Sequence, residues 1–152
     1  MQIRDRVKEL RRVKAADLRP NPKNWRTHPD GQRDALRGLL AEVGYADALL
    51  ARELPDGGLE LIDGHLRAET TPEAEVPVLV VDVSEAEAAL LLATLDPLTN
   101  LAGRDDAALD ALVAATQAQS GAVREFLAQL SAERAELLAD AAPARPEPTL
   151  AE

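Results

Sequence analysis

The chain has no cysteine among its 152 residues. Disulfides, thiolate metal sites and cysteine nucleophiles are therefore excluded. Aromatic residues are almost as scarce, with one tryptophan, one tyrosine and one phenylalanine, so we do not expect the stacking platforms typical of proteins that bind single-stranded nucleic acid. The sequence contains neither a signal peptide nor an apolar run of about 18 residues, which predicts a cytoplasmic protein with no membrane partner.

Hydrophobic residues make up 46% of the chain, enough for one compact domain with its own core. The net charge is −10, but residues 1–37 hold 11 Lys/Arg and 5 Asp/Glu, whereas residues 38–152 hold 6 and 22. The basic end either contacts DNA or nucleotide phosphates, or simply solvates an N-terminal arm over residues 1–12. The acidic remainder would repel a duplex.

Hydrophobic periodicity predicts an α/β (α+β) fold of short strands and helices. A helix is expected from Gly31 to Val43, with Gly44 as its C-terminal cap. The β-branched run from Val76 to Val83 predicts a strand covered on both faces. A capping box at Ser84 begins another helix, which we expect to end near Leu95 because Asp96-Pro97 follows. The other predicted strands are Val13–Leu18 and a hairpin of Ala48–Leu54 with Leu59–Asp63.

Two further helices are predicted after Gly103, as a helical hairpin over residues 104–140. Asp105 caps the first helix, and Ser120-Gly121 separates it from the second. The pair either packs on the first part of the chain, forms a homodimer or bridges to another domain. Residues 141–152 contain three prolines and are expected to form a disordered tail or a linker.

The most informative segment runs from Leu59 to Glu69. Here an apolar strand leads into Gly64, and a short helix then presents His65 and Arg67. In this geometry main-chain N–H groups and a guanidinium meet a phosphate, and Gly64 allows its close approach. The alternative is that Gly64 only makes a turn and Arg67 pairs with a neighbouring carboxylate. A phosphate-bearing ligand is the first hypothesis.

A proline-rich loop covers Arg19–Asp30 and is expected to be functional because it is long and held in a set path. Trp25 in this loop either packs over a nucleotide base or pins the loop to the core. His28 and His65 lack the tight spacing of a metal site. As a general base, His65 would need a substrate within reach.

With these residues in view, residues 13–99 resemble the N-terminal ParB-like domain, whose small mixed sheet with flanking helices is shared with sulfiredoxin. The residue pattern is most similar to that of the domains that precede methyltransferase domains in phage and bacterial DNA-modification proteins. This similarity implies a DNA methyltransferase as a partner. No methyltransferase motif occurs in this chain, and the sulfiredoxin reaction is excluded because His65 stands at the position of its cysteine. The matching segments are PNPKNWR (20–26), EVGY (42–45), IDGHLRAE (62–69) and VPV (76–78).

The resemblance implies binding of a nucleoside triphosphate, CTP or ATP, with Mg²⁺. Gly64, His65 and Arg67 would contact the phosphates. His65 replaces the glutamate usual in the family, so Asp63 and Glu69 would supply the oxygen ligands to Mg²⁺. Any catalysis would depend on Asp63 and His65. The loop residues expected on the other side of the phosphates are Asn21, Lys23 and Arg26.

The function implied is a nucleotide-binding regulatory module associated with DNA modification or segregation. One alternative is a nucleotide-dependent phosphotransferase, similar to the free-serine kinases that share the segment Asp-Gly-His-x-Arg, or a nuclease on the same fold. A second alternative is a non-catalytic protein-interaction domain.

Overall fold

A small mixed sheet of four strands organises the fold. Its strands are β1 (Val7–Lys14), β2 (Leu49–Glu53), β3 (Leu59–Asp63) and β4 (Glu75–Val81), in the order β1-β4-β2-β3. Strands β2 and β4 are parallel, and the other two neighbouring pairs are antiparallel. The helices are α1 (Asp30–Val43), α2 (His65–Thr70), α3 (Glu85–Asn100), α4 (Asp106–Ala115) and α5 (Gly121–Ala141). The predicted mixed sheet with flanking helices is confirmed.

This computed structural model describes the backbone of residues 1–141 and the side chains of residues 1–131. The predicted tail or linker, apart from Ala141, lies outside the described residues.

The main core lies on one face of the sheet. Val76, Val78 and Val80 alternate along β4 and are fully buried, together with Leu49 and Leu61. On the other face, α3 packs through Ala88 in a smaller cluster. The prediction that β4 is covered on both faces was too strong, because the intervening Pro77 and Leu79 are only half-buried.

The first strand begins earlier than predicted. The expected strand was Val13–Leu18, whereas β1 pairs with β4 from Val7 to Lys14, and a short 3₁₀ turn follows at Ala15–Asp17. Residues 7–12 of the expected basic arm are therefore part of the sheet. The sequence did not predict residues 7–12 as a strand because most of them are charged. An edge strand tolerates charged side chains that a buried strand does not.

Helix α3 does not end at Leu95 as predicted but continues to Asn100, with Pro97 inside it. Proline removes the hydrogen bond that its N–H would donate to the carbonyl of Ala93. Ala93 is exposed, so water can satisfy that carbonyl. The neighbouring Asp96 is also held by an ion pair to Arg26, from a distant part of the chain.

Of the two C-terminal helices, α5 packs on α1 of the preceding domain, which is one of the alternatives that the sequence left open for the pair. The contact requires Gly38, because a Cβ there would lie 2.2 Å from Ser120 Oγ. Ser120 precedes α5 and donates its main-chain N–H to the carboxylate of Glu42 on α1. This hydrogen bond ties the start of α5 to α1, and it lowers the pKa of Glu42.

Candidate functional site

The proline-rich loop between the 3₁₀ turn and α1 is held by its own side chains. Asn21 Oδ1 accepts a hydrogen bond from Lys23 N at 2.9 Å, and Asn24 Oδ1 accepts one from Arg26 N at 3.3 Å. Such turns are characteristic of asparagine, whose side chain reaches the main chain two residues on. Arg19, at the start of the loop, pairs through its main chain with Leu59 and Leu61 of β3. The start of the loop is thereby fixed beside β3.

A cavity of about 190 Å³ opens where this loop meets α1, α2 and α3. It includes the strand-glycine-helix segment that the sequence singled out. Its walls are residues 24–26 and His28 of the loop, Gln32 and Leu36 of α1, residues 62–67, and Leu92 and Asp96 of α3.

Gly64 forms the turn between β3 and α2 at the edge of this cavity. Its φ of 99° lies in the left-handed region, which side chains other than glycine's rarely adopt. A Cβ at this position would lie 2.6 Å from Leu49 Cγ and 3.2 Å from Arg67 Nη2. The missing side chain therefore lets the chain turn and leaves space for the guanidinium of Arg67.

Arg67 lines the cavity with a side chain that is only 16% exposed. Its Nη2 donates to Asp63 Oδ2 at 3.2 Å, and Nη1 lies 3.6 Å from Asp47 Oδ2. The main chain of Arg67 is held as well, because its carbonyl accepts a hydrogen bond from the Tyr45 hydroxyl at 3.1 Å. Arg67 thus pairs with neighbouring carboxylates, as the alternative interpretation predicted, and it also lines the cavity. A guanidinium has five N–H donors, so these two contacts leave others for a ligand.

His65 is buried, with 7% of its surface exposed, and its Nε2 accepts a hydrogen bond from Asn21 N at 3.1 Å. An accepting Nε2 places the proton of the neutral ring on Nδ1. Burial lowers the pKa of His65, although the nearby carboxylates of Glu69 and Asp63 oppose the shift. With Nε2 engaged and Nδ1 protonated, this geometry leaves His65 no free basic nitrogen for the predicted role of general base.

The predicted loop ligands divide into two groups. Arg26 lines the cavity, with Nε 2.6 Å from Asp96 Oδ2 and Cζ 5.4 Å from the centroid of the Trp25 ring. The ion pair with Asp96 is not aligned as a hydrogen bond, and Arg26 Nε has no hydrogen-bond partner among the described residues. Asn21 is buried, and Lys23 is exposed. Neither is among the described residues that line the cavity.

The two predicted magnesium ligands are also separated. Asp63 lines the cavity and its side chain is 51% exposed, whereas Glu69 pairs with Arg33 at 3.4 Å and is not among the described lining residues. No group of three metal-ligating side chains occurs in the described part of the chain. A magnesium ion that arrives with nucleotide phosphates needs only one or two protein carboxylates, and Asp63 fits that requirement.

The sequence did not identify the contributions of α1 and α3 to the cavity. Gln32 and Leu36 are four residues apart, which places them on one face of α1, and Leu92 and Asp96 are related in the same way on α3. That spacing shows which residues share a face, but long-range packing determines what the face meets.

The basic charge near the N-terminus is largely neutralised within the fold. Arg6 binds Glu87 through both carboxylate oxygens, at 2.8 and 2.9 Å. Lys8 binds Glu53 at 2.8 Å, and Lys14 binds Glu73 at 2.7 Å. The excess of positive charge in the sequence is therefore not a free cationic surface along β1.

None of the helices in the described part of the chain combines the length and the apolar character needed to span a membrane.

No family model and no curated protein matches the sequence. Among solved structures, the chain is similar to the C-terminally truncated chromosome-partitioning protein ParB from Caulobacter crescentus complexed with CTP-γ-S. The TM-score is 0.53 at 20% identity, covering 64% of this chain and 55% of that chain. The same protein complexed to the centromeric parS site gives a TM-score of 0.43 at 21% identity, over 53% and 43% of the two chains.

A Pnob8-like ParB-N domain gives a TM-score of 0.47 at 18% identity, over 84% of this chain and 49% of that one. The chain thus spans about half the length of the ParB structures it matches. At 20% identity, the match with the TM-score of 0.53 shows a likeness of fold alone. The similarity to the CTP-γ-S complex, at a TM-score of 0.53, leads to one conclusion: this protein has the ParB-like fold.

Proposed function

We propose that the cavity binds the phosphates of a nucleoside triphosphate and that the chain acts as a nucleotide-binding regulatory module. The observation that carries the proposal is the position of Arg67. Its guanidinium is mostly shielded from solvent, is held by carboxylates on one side, and lies beside Gly64 on the cavity wall. A fixed guanidinium with unused donors suits phosphate oxygens, which accept hydrogen bonds in pairs.

CTP is the first candidate for the nucleotide, because the ParB from Caulobacter crescentus that shares this fold was solved with CTP-γ-S. ATP is the second. If Mg²⁺ accompanies the nucleotide, the carboxylate of Asp63 is the group that would hold it, since it is exposed on the cavity wall. The metal would screen the negative charge of the phosphates, while Arg67 orients them.

The cellular role we propose is in DNA segregation or DNA modification, the latter alongside a methyltransferase. Contact between DNA and the N-terminal region would require the cations of β1 to exchange their carboxylate partners for phosphates.

A homodimer through the C-terminal helices belongs to the same proposal. It is supported by apolar side chains that remain exposed there, with Leu112 64% and Phe126 44% exposed.

Calorimetric titration of the whole chain with CTP, ATP and GTP, each with Mg²⁺, tests nucleotide binding. We expect at least one of these nucleotides to bind at a single site, and Arg67→Ala to weaken binding by about 2 kcal/mol or more, the scale of a charge-assisted hydrogen bond.

Arg37→Ala is the matched control, because Arg37 is 64% exposed on α1 and pairs with Asp34 outside the cavity. It should bind nucleotide as the unmodified protein does. The proposal fails if the folded protein binds none of the three nucleotides, or if the two arginine variants lose affinity equally.

A further inference from the structure

Trp25 is the only tryptophan in the chain and one of three aromatic residues, and it lies on the wall of the cavity that contains Gly64 and Arg67. An aromatic ring is not needed to hold phosphates. A ring on the wall of a phosphate-binding cavity suits the other end of a nucleotide, which is a planar base.

The ring is held firmly but is not buried. Its Nε1–H donates to the carbonyl of Leu92 on α3 at 3.1 Å, which fixes the ring against the domain. Nevertheless Trp25 is 55% exposed. A tryptophan that served only to pin the loop would be expected to bury most of its apolar surface. Here the polar edge is anchored while a large part of the ring remains accessible.

The neighbouring charges keep the ring in position. The guanidinium of Arg26 lies 5.4 Å from the ring centroid, within the range of a cation–π contact, and Asp96 on α3 pairs with Arg26. The ring is thereby held from two sides before any ligand arrives. A preorganised surface loses little conformational entropy on binding, which favours stacking.

From these contacts we infer that Trp25 is the stacking surface for the base of the bound nucleotide. This inference rests on the proposed function, since it places the base beside Trp25 in the same cavity where Arg67 would hold the phosphates. Stacking on an aromatic face is available to every base. Trp25 therefore contributes affinity common to pyrimidine and purine nucleotides, and selection between bases falls to polar neighbours such as Asn24.

The test compares a ligand that has a base with one that lacks it. CTP, ATP and inorganic tripolyphosphate are titrated, each with Mg²⁺, into the whole protein and into Trp25→Ala and Trp25→Phe. Tryptophan fluorescence follows the unmodified protein and calorimetry follows all three. We expect CTP and ATP to quench the emission and tripolyphosphate to leave it nearly unchanged.

Trp25→Ala should weaken CTP and ATP binding roughly ten- to a hundred-fold, the effect of losing one stacked base, while its affinity for tripolyphosphate is retained. Trp25→Phe loses the hydrogen bond to Leu92 but keeps a ring, so it should recover much of the nucleotide affinity. Equal losses for nucleotides and tripolyphosphate would show that Trp25 only holds the loop, and would overturn the inference.

Two further outcomes separate this inference from the proposed function. If all three ligands bind and Trp25→Ala changes none of them, the phosphate site stands and the stacking role is wrong. If neither the nucleotides nor tripolyphosphate bind the unmodified protein, the proposed function fails and the stacking role fails with it.

Discussion

The imidazole of His65 accepts a hydrogen bond from the main-chain N–H of Asn21, with 3.1 Å between the two nitrogens. This contact joins the start of α2 to the proline-rich loop, and both residues are 7% exposed. It accounts for a histidine at this position: its ring fills a buried site and supplies an acceptor that the loop backbone needs.

Replacing that acceptor should destabilise the fold. In His65→Phe the ring remains of similar size, but the buried N–H of Asn21 loses its partner, which costs about 1–3 kcal/mol. Urea unfolding measures the change. His28→Phe is the control, because His28 contacts Gln32 at the surface and its replacement should change stability by less than about 0.5 kcal/mol. Equal losses in the two variants would contradict the structural role of the His65 hydrogen bond.

Gly64→Ala should destabilise the protein and impair nucleotide binding together. The backbone conformation costs about 1–2 kcal/mol for a residue with a Cβ, and the contact with Leu49 adds a packing cost, for about 2–4 kcal/mol in all. Gly57→Ala separates the two causes. Gly57 also has a positive φ, 85°, but nothing lies within 4 Å of a Cβ there, so it should show the backbone cost alone and retain binding. Unfolding free energies that agree for the two variants would refute the close-packing argument.

Glu87 provides the clearest pH dependence. Its hydrogen bonds to Arg6 and to the main chain of Ser84 lower its pKa from 4.5 to about 2. A carboxyl whose pKa is lower in the folded state stabilises the fold fully above pH 4.5, and the effect is lost as the pH falls through about 2. Glu87→Gln should therefore be less stable than the unmodified protein at neutral pH, and the difference in stability between the two proteins should narrow below pH 4.5. Unfolding midpoints of both proteins measured across this range check the prediction. A difference in stability that does not depend on pH would be inconsistent with the lowered pKa of Glu87.

The ion pairs of β1 predict weak binding to DNA at physiological salt. Glu53 holds Lys8 at 2.8 Å, so Glu53→Gln should release this cation, whereas Arg11 keeps its ion pair with Glu9. Its affinity for a short duplex should rise, with a steeper dependence on salt concentration. Asp34→Asn frees Arg37 on α1 instead and should change little. Fluorescence anisotropy in a salt series measures both, and strong DNA binding by the unmodified protein would show that the paired cations are not a barrier.

Local patterns in the sequence predicted much of this fold. The predicted bounds of helix α1 and strand β3 lie within one residue of the observed bounds. In both elements the spacing of apolar residues and the glycines at the ends indicate the same limits. The capping box at Ser84 forms as expected, with hydrogen bonds in both directions between Ser84 and Glu87. Helix α2 ends at Thr70, in keeping with Pro72 shortly after it.

The errors share one physical origin, since each depends on partners that are distant in sequence. Strand β1 is highly charged and becomes a strand through its pairing with β4. Pro97 is tolerated in α3 at an exposed position, next to an Asp96 that pairs with Arg26. The role of Asn21 as a ligand stays a prediction, but its polar groups are used within the fold by His65, Glu60 and Lys23. No local pattern reports such contacts.

The most direct test of the phosphate site is to follow the amide resonances of residues 64–67 by NMR while CTP and Mg²⁺ are added. We predict that the amides of residues 64 and 67 shift the most and saturate with the ligand, and that the same addition shifts them much less in Arg67→Ala. Saturable shifts confined to α4 or α5, or no shifts at any nucleotide concentration, would contradict the assignment of this cavity to nucleotide phosphates.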